Sequence, residues 1–217
     1  MPERTSRDAR ITHASRNRRS EQKEALRQQI LAAAAELFLE HGYDGFSMRK
    51  LAERIGYSAA TLYLYFRNKD DLLFTIVDDS FARFERSMAE AMAAERTPWA
   101  QLARLCEAYV LFGLQHPVYY QMMFLWRVDF LLQARPGEQH ARLEVFDVFR
   151  HAVQAAMDAG QLKAGDAESI SDTLWAHVHG IVTLAIAVPR FDAERVRNVF
   201  KTNHAMMMAA LYRPPVK

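Results

Sequence analysis

The chain has 217 residues and one cysteine, Cys106, so no internal disulfide framework can staple it and a reducing compartment suits it. It also lacks a long apolar run: a stretch such as Ile181 to Val188 is far short of the roughly 20 residues that a membrane span requires. Arg and Asp interrupt the front of the chain throughout, which excludes a signal-peptide core, and Glu3 and Asp8 speak against a transit peptide. No segment alternates polar and apolar residues as a half-buried strand does, and no internal repeat recurs. There is no Gly-rich phosphate loop, no zinc-ligand spacing and no Ser/His/Asp arrangement that the sequence supports. These absences predict a soluble cytoplasmic all-α protein that is not an enzyme, with no cofactor and no metal.

Half of the residues are apolar, enough to bury a substantial core. The formal net charge is only +2, but it is unevenly distributed. Residues 1–27 hold eight Arg or Lys against four acids, a local +4. Extending to Lys69 gives +5, so the remainder carries −3. A basic front on an acidic rear fits a protein that presents one end to a polyanion.

Along the chain, residues 1–20 show no periodicity and read as a basic flexible arm. From Glu21 a helical stripe appears, with Ile30, Leu31, Ala34, Leu37 and Phe38 at spacings of three and four until Gly42 and Gly45 punctuate it. Ser47 is placed to cap a helix over 48–55, and a third helix follows over 59–66. Asn68 caps a long fourth helix over 69–95, with Asp70 and Asp71 complementing its dipole. Further helices are expected over 98–115, 117–132, from the Pro136-Gly137 break to 159, over 167–188 and over 192–212, about nine in all. The division is a 1–20 arm, a 21–69 DNA-binding unit and a 70–217 helical domain.

Residues 47–72 carry the most information. Two short helices separated by Gly56 and followed by a capped third are how a helix-turn-helix is written. Leu51, Ala52, Ile55, Leu62 and Phe66 form its packing face, which leaves Ala59, Ala60, Thr61, Tyr63 and Leu64 outward. Small side chains and methyl groups there suit entry into a major groove. Helix three has no Asn, Gln or Arg, so Arg49, the arm and DNA shape are expected to supply discrimination.

Over residues 25–75 the chain resembles the tetracycline-repressor (TetR) family. The resemblance rests on Glu36-Leu37-Phe38 with Gly42-Tyr43, on Ser47, Leu51-Ala52 and Ile55-Gly56-Tyr57-Ser58, and on Thr61-Leu62-Tyr63, Tyr65-Phe66 and Lys69. It implies phosphate contacts from Tyr63 and Lys69, Thr61 at the base or backbone edge, and Arg49 reaching the groove. Ser47 and Ser58 could donate to phosphate as well, and Arg16, Arg18 and Arg19 are expected to follow a neighbouring minor groove. Trp175-Ala176-His177-Val178-His179-Gly180 resembles the Trp-x-x-x-His-Gly signature of one subset of regulatory domains.

That resemblance implies a homodimer on double-stranded DNA, joined by its last two helices through Leu174, Val178, Ile181, Val196, Phe200, Met207 and Leu211. The aromatic and Met-rich middle helices suggest a pocket for an apolar effector. Its candidate lining is Tyr109, Phe112, Met123, Trp126, Arg127, Phe130, Phe146, Phe149 and His177. His177 and His179 cannot share an ion, because positions i and i+2 of a helix lie about 200° apart; His179 reads as a hydrogen-bonded packing residue. The alternative to a ligand-released repressor is a DNA-binding architectural factor of the same fold that recruits a protein and takes no small molecule.

Overall fold

The computed structural model describes residues 3–126 and 141–213, with side chains from 17 to 126 and from 147 to 213. Nine α-helices occur among the described residues and no strand: α1 Glu3–Gly45, α2 Met48–Ile55, α3 Ala59–Tyr63, α4 Lys69–Ala93, α5 Pro98–Gln115, α6 Pro117–Phe124, α7 Ala141–Asp158, α8 Ala167–Ala187 and α9 Ala193–Leu211. They form two compact units, 1–76 and 77–217. The boundary therefore falls inside α4 rather than at its start, and the first turns of α4 carry the buried Leu72, Leu73 and Ile76.

Local chemistry sets most of the ends. Ser47 takes extended backbone and its Oγ accepts from Lys50 N at 3.2 Å, starting α2. Gly56 ends α2 in the left-handed region, at φ 73° and ψ 28°, where a side chain would be strained. Gly42, at φ 69° and ψ 177°, breaks α1 near its end, where the helical stripe also stops. Asn68 Oδ1 accepts from Asp71 N at 2.9 Å to cap α4, and Thr97 with Pro98 opens α5.

Three expectations change. Residues 3–20 are helical, continuing α1 towards its N-terminus. Ala, Arg and Ser tolerate helix, and no Gly or Pro interrupts them after Pro2, so a helix forms although no apolar stripe announces it. The third helix ends at Tyr63 instead of Phe66 because its last turn tightens, with Leu64 N and Tyr65 N bonding three residues back. α6 stops at Phe124, and the remainder of the helix expected to 132 runs into residues outside the described set.

In the second unit α5 is central and packs on α6, α7 and α8, while α9 lies on α8. Tyr109 meets Trp175 and His179, and Gly113 meets Val182, so α5 and α8 run in the same direction. A Cβ on Gly113 would stand 2.4 Å from Val182 Cγ1 and 3.1 Å from a Tyr120 ring carbon, so glycine here permits the close crossing. The end of α9 is tied back by Lys163 N to Leu211 O (3.0 Å) and Arg213 N to Gln161 O (2.9 Å), with Trp99 against Tyr212.

Candidate DNA-binding face and regulatory core

In the first unit Leu51, Leu62 and Phe66 are buried, and Phe38 stacks on Phe46 at 3.9 Å. That packing turns Tyr63 and Leu64 out, 54% and 79% exposed, with Ala60 also exposed and Ala59 and Thr61 half-buried. Ser58 Oγ accepts from Thr61 N at 3.1 Å and lies 2.9 Å from Thr61 Oγ1, so both hydroxyls serve first as the start of α3. Arg49 is almost fully exposed and pairs with Glu53 at 3.1 Å, a surface pair weak enough to exchange for a phosphate.

Lys69 is held more tightly than sequence suggests. Its Nζ sits 3.8 Å from the centre of the Tyr43 ring and donates to Tyr43 O at 3.4 Å, while the Tyr43 hydroxyl donates to Asp70. The cation is thereby fixed at the start of α4. Gly42-Tyr43 and Lys69 both belong to the resemblance, but nothing in the sequence pairs them. Arg54, which reads as a solvated face, makes a forked pair with Glu40 at 2.8 and 3.0 Å and ties α2 to α1. The guanidinium hydrogen bond holds the Glu40 carboxyl below its usual range.

Arg18 and Arg19 are exposed on α1, and the side chain of Arg16 lies outside the described residues. In this form the arm does not thread a minor groove: a helix is about 10 Å across with its side chains, against a groove of about 6 Å.

The core of the second unit contains a closed polar cluster. The Tyr120 hydroxyl lies 2.6 Å from His179 Nδ1 and 3.0 Å from the Tyr109 hydroxyl; Tyr109 is 3.2 Å from the same nitrogen and accepts from Trp175 Nε1 at 3.1 Å. Placing the imidazole proton on Nε2 lets Nδ1 accept from Tyr120. Burial pushes both phenols up and holds His179 below the ordinary imidazole value, so all three are neutral near pH 7. Phe84 joins Tyr109, Phe112 and Phe124 edge-on, and Phe149 closes on Tyr109.

Of the residues assigned to the pocket, Tyr109, Phe112 and Phe149 are thus brought together, Met123 is buried and Trp126 is half-buried. Arg127 and Phe130, and the side chain of Phe146, lie outside the described residues. His177 is a correction: its Nε2 is buried without a partner, and its charge interaction is with His204 on α9. His179, two positions on, takes the place among the tyrosines. Cys106 is buried, its thiol pushed up to about 12 by burial, which leaves it inert packing.

The expected dimer seam also needs correcting. Leu174, Val178, Ile181 and Val196 are buried within one chain, so they are unavailable to a second copy. Phe200, Met207 and Leu211 remain half-buried. Val196 and Phe200 line a groove of about 340 Å³ whose other walls include Ser87, Ala91 and Leu111. The outward stripe of α8 is Thr173, Ala176, Gly180 and Leu184, and a Cβ on Gly180 would meet no atom of a neighbouring element among the described residues.

Two family models match the chain: bacterial regulatory proteins of the tetR family over residues 30–76, and the tetracyclin repressor-like C-terminal domain over residues 102–206. The fatty acid metabolism regulator protein of Bacillus subtilis is 35% identical over 75 residues, covering 35% of this chain and 39% of that protein. The transcriptional repressor AcnR of Corynebacterium diphtheriae is 36% identical over 64 residues, covering 30% and 34%. The chain thus matches little more than a third of the length of these relatives. A solved protein of unknown function from Rhodococcus sp. RHA1 superimposes with a TM-score of 0.67 at 30% identity, over 87% of this chain and 96% of that one. A protein solved to explain control of antibiotic production by bacterial hormones gives a TM-score of 0.68 at 25% identity, covering 87% and 98%. Among the described residues no helix is long and apolar enough to cross a membrane.

Proposed function

We propose, for a chain that belongs to the TetR family of bacterial regulatory proteins, that it is a homodimeric repressor, binding a palindromic operator and released from it by an apolar small molecule. The observation that carries the DNA-binding part is the exposed face of α3. Ala60, Tyr63 and Leu64 stand out from a helix pinned by the Ser58 cap and by buried Leu62 and Phe66. Helix α3 presents methyl groups and one phenol, so base readout is by apolar contact, with Tyr63 and Arg49 reaching phosphates and groove edge. Ser58, Ala59 and Thr61 shape the entry, and Lys69 supplies a fixed positive charge at the start of α4.

A reading head of this size covers few base pairs, so specificity requires two copies. Gly180 supports α8 as the joining surface, because among the described residues its bare backbone faces no neighbouring element and allows a second helix to approach closely. The Tyr109–Tyr120–His179 cluster supports the effector part. It is the point where α5, α6 and α8 are joined by polar groups within an aromatic core, and a ligand that exchanged those bonds would favour one arrangement of the helices over another.

The test is fluorescence anisotropy on the DNA upstream of the chain's own gene, across a salt series. Tight binding to a pseudo-palindrome that weakens steeply with salt, and is lost in Tyr63→Ala, supports the reading. Binding indifferent to sequence would sink it.

A further inference from the structure

We propose that the N-terminal part of α1 is a rigid second DNA-binding element, which clamps backbone phosphates of the duplex flanking the half-site that α3 reads. This rests on the DNA-binding reading above and adds a surface to it.

Residues 1–29 precede the region that the tetR-family model matches, so the shared helix-turn-helix pattern does not account for them. Side chains from Asn17 to Ala25 are all exposed, so this stretch of the helix buries little against the three-helix core. A helical stretch that buries so little gains little stability from tertiary packing, so its composition is free to serve a surface role.

One face of this helix closes on the helix-turn-helix to form a cleft of about 600 Å³. Arg19, Gln22, Lys23 and Leu26, spaced three and four apart, form one wall; Tyr57, next to the Gly56 turn, and Tyr65, just past α3, form the other. Among the described residues no carboxylate lines it, although Glu21 and Glu24 lie on the same helix. Arg19 and Lys23 have no ion-pair partner among the described residues, whereas Glu24 engages Arg27 and Gln28. Two free cations, amide donors and two phenols without an acid are the side chains that hold a phosphodiester backbone, and they offer nothing that discriminates bases. Lying beside the turn that delivers α3, the cleft is continuous with the reading face. From Lys23 back to Glu3 the helix runs about 30 Å at 1.5 Å per residue, or about nine base-pair steps at 3.4 Å each, which sets the reach beyond the half-site.

The experiment uses the full chain and two operator duplexes, one trimmed at the outer edges of the half-sites and one with about 15 flanking base pairs on each side. Anisotropy titrations across a salt series give the slope of log affinity against log salt for wild type, for Arg19→Gln/Lys23→Gln and for Lys201→Gln, an exposed cation on α9, with helicity checked by circular dichroism. Each phosphate contact contributes about 0.9 to that slope, so removing two cations from each subunit of a dimer lowers it by about 3.6 on the flanked duplex. On the trimmed duplex it should stay unchanged. Lys201, which belongs to the second unit and lines no part of the cleft, should leave the flanked slope nearly intact. The proposal is overturned if the double variant matches wild type on flanked DNA, if it loses as much on trimmed DNA, or if Lys201→Gln costs as much per charge. A wild-type chain that binds neither duplex would remove the DNA-binding reading itself, and this proposal with it.

Discussion

Replacing Gly113 with alanine sets two effects against each other, and the structure decides between them. Alanine in a helix interior is favoured over glycine by about 1 kcal/mol, so a solvent-facing Gly113 would make the variant more stable. Here the new methyl carbon would stand 2.4 and 2.9 Å from the two Val182 methyls and 3.1 Å from the Tyr120 ring. Val182 and Tyr120 are both fully buried, and a β-branched side chain in a helix has almost no alternative rotamer. Relief must then come from α5 and α8 moving apart by about an ångström, roughly the gap to normal carbon–carbon contact. The Tyr109 bond to His179, at 3.2 Å, spans that same interface and would lengthen with it. Overpacking costs about 1–3 kcal/mol, with up to about 1 kcal/mol for a weakened hydrogen bond. The net expectation is a loss of about 1–2 kcal/mol, or a melting point lower by about 2–8 °C for a chain of this size. Differential scanning calorimetry with matched urea titrations measures it. A Gly113→Ala protein as stable as wild type, or more so, would refute the close crossing of α5 and α8.

Gly180→Leu makes the opposite contrast, since its Cβ meets no neighbouring element among the described residues: light scattering should show dimer converting to monomer while the helical signal is retained. Acidification tests the histidines. Burial holds His179 and His204 below their ordinary value, and burial followed by the nearby His204 does so for His177. The unfolded chain therefore takes up protons first, and stability that is complete above about pH 6.5 falls as pH drops through the folded values. Urea midpoints should decline from pH 7 to pH 5, and His179→Gln should flatten that decline; a flat wild-type profile would contradict the assignment. Ser58→Ala removes the cap of α3, at about 1 kcal/mol, and should weaken operator binding more than it lowers the melting point, because α3 is only one turn long. Equal losses in both would mean that the cap serves folding alone.

Some of this molecule is readable from residues that are neighbours in sequence. A serine before a helical stripe, a glycine after it or a proline at its first turn acts within four residues, by hydrogen bonds and allowed dihedral angles that need no other part of the chain. That is why the bounds of α2 and α5, the caps at Ser47 and Asn68, and the outward turn of Tyr63 and Leu64 follow from the sequence. The structure alone decided which elements meet. An apolar stripe such as Leu174, Val178 and Ile181 states that it will be buried, but not whether its own chain or a second copy does the burying. A difference of 200° around α8 separates His179, set between two tyrosines, from His177, turned towards α9, and only the packed neighbours distinguish them. Lys69 rests on Tyr43 because folding brings α4 back to the end of α1, and the basic front is a helix although it has no apolar face to announce one. Apart from that solvent-facing helix, the deciding energy belongs to contacts distant in sequence, which local pattern does not encode.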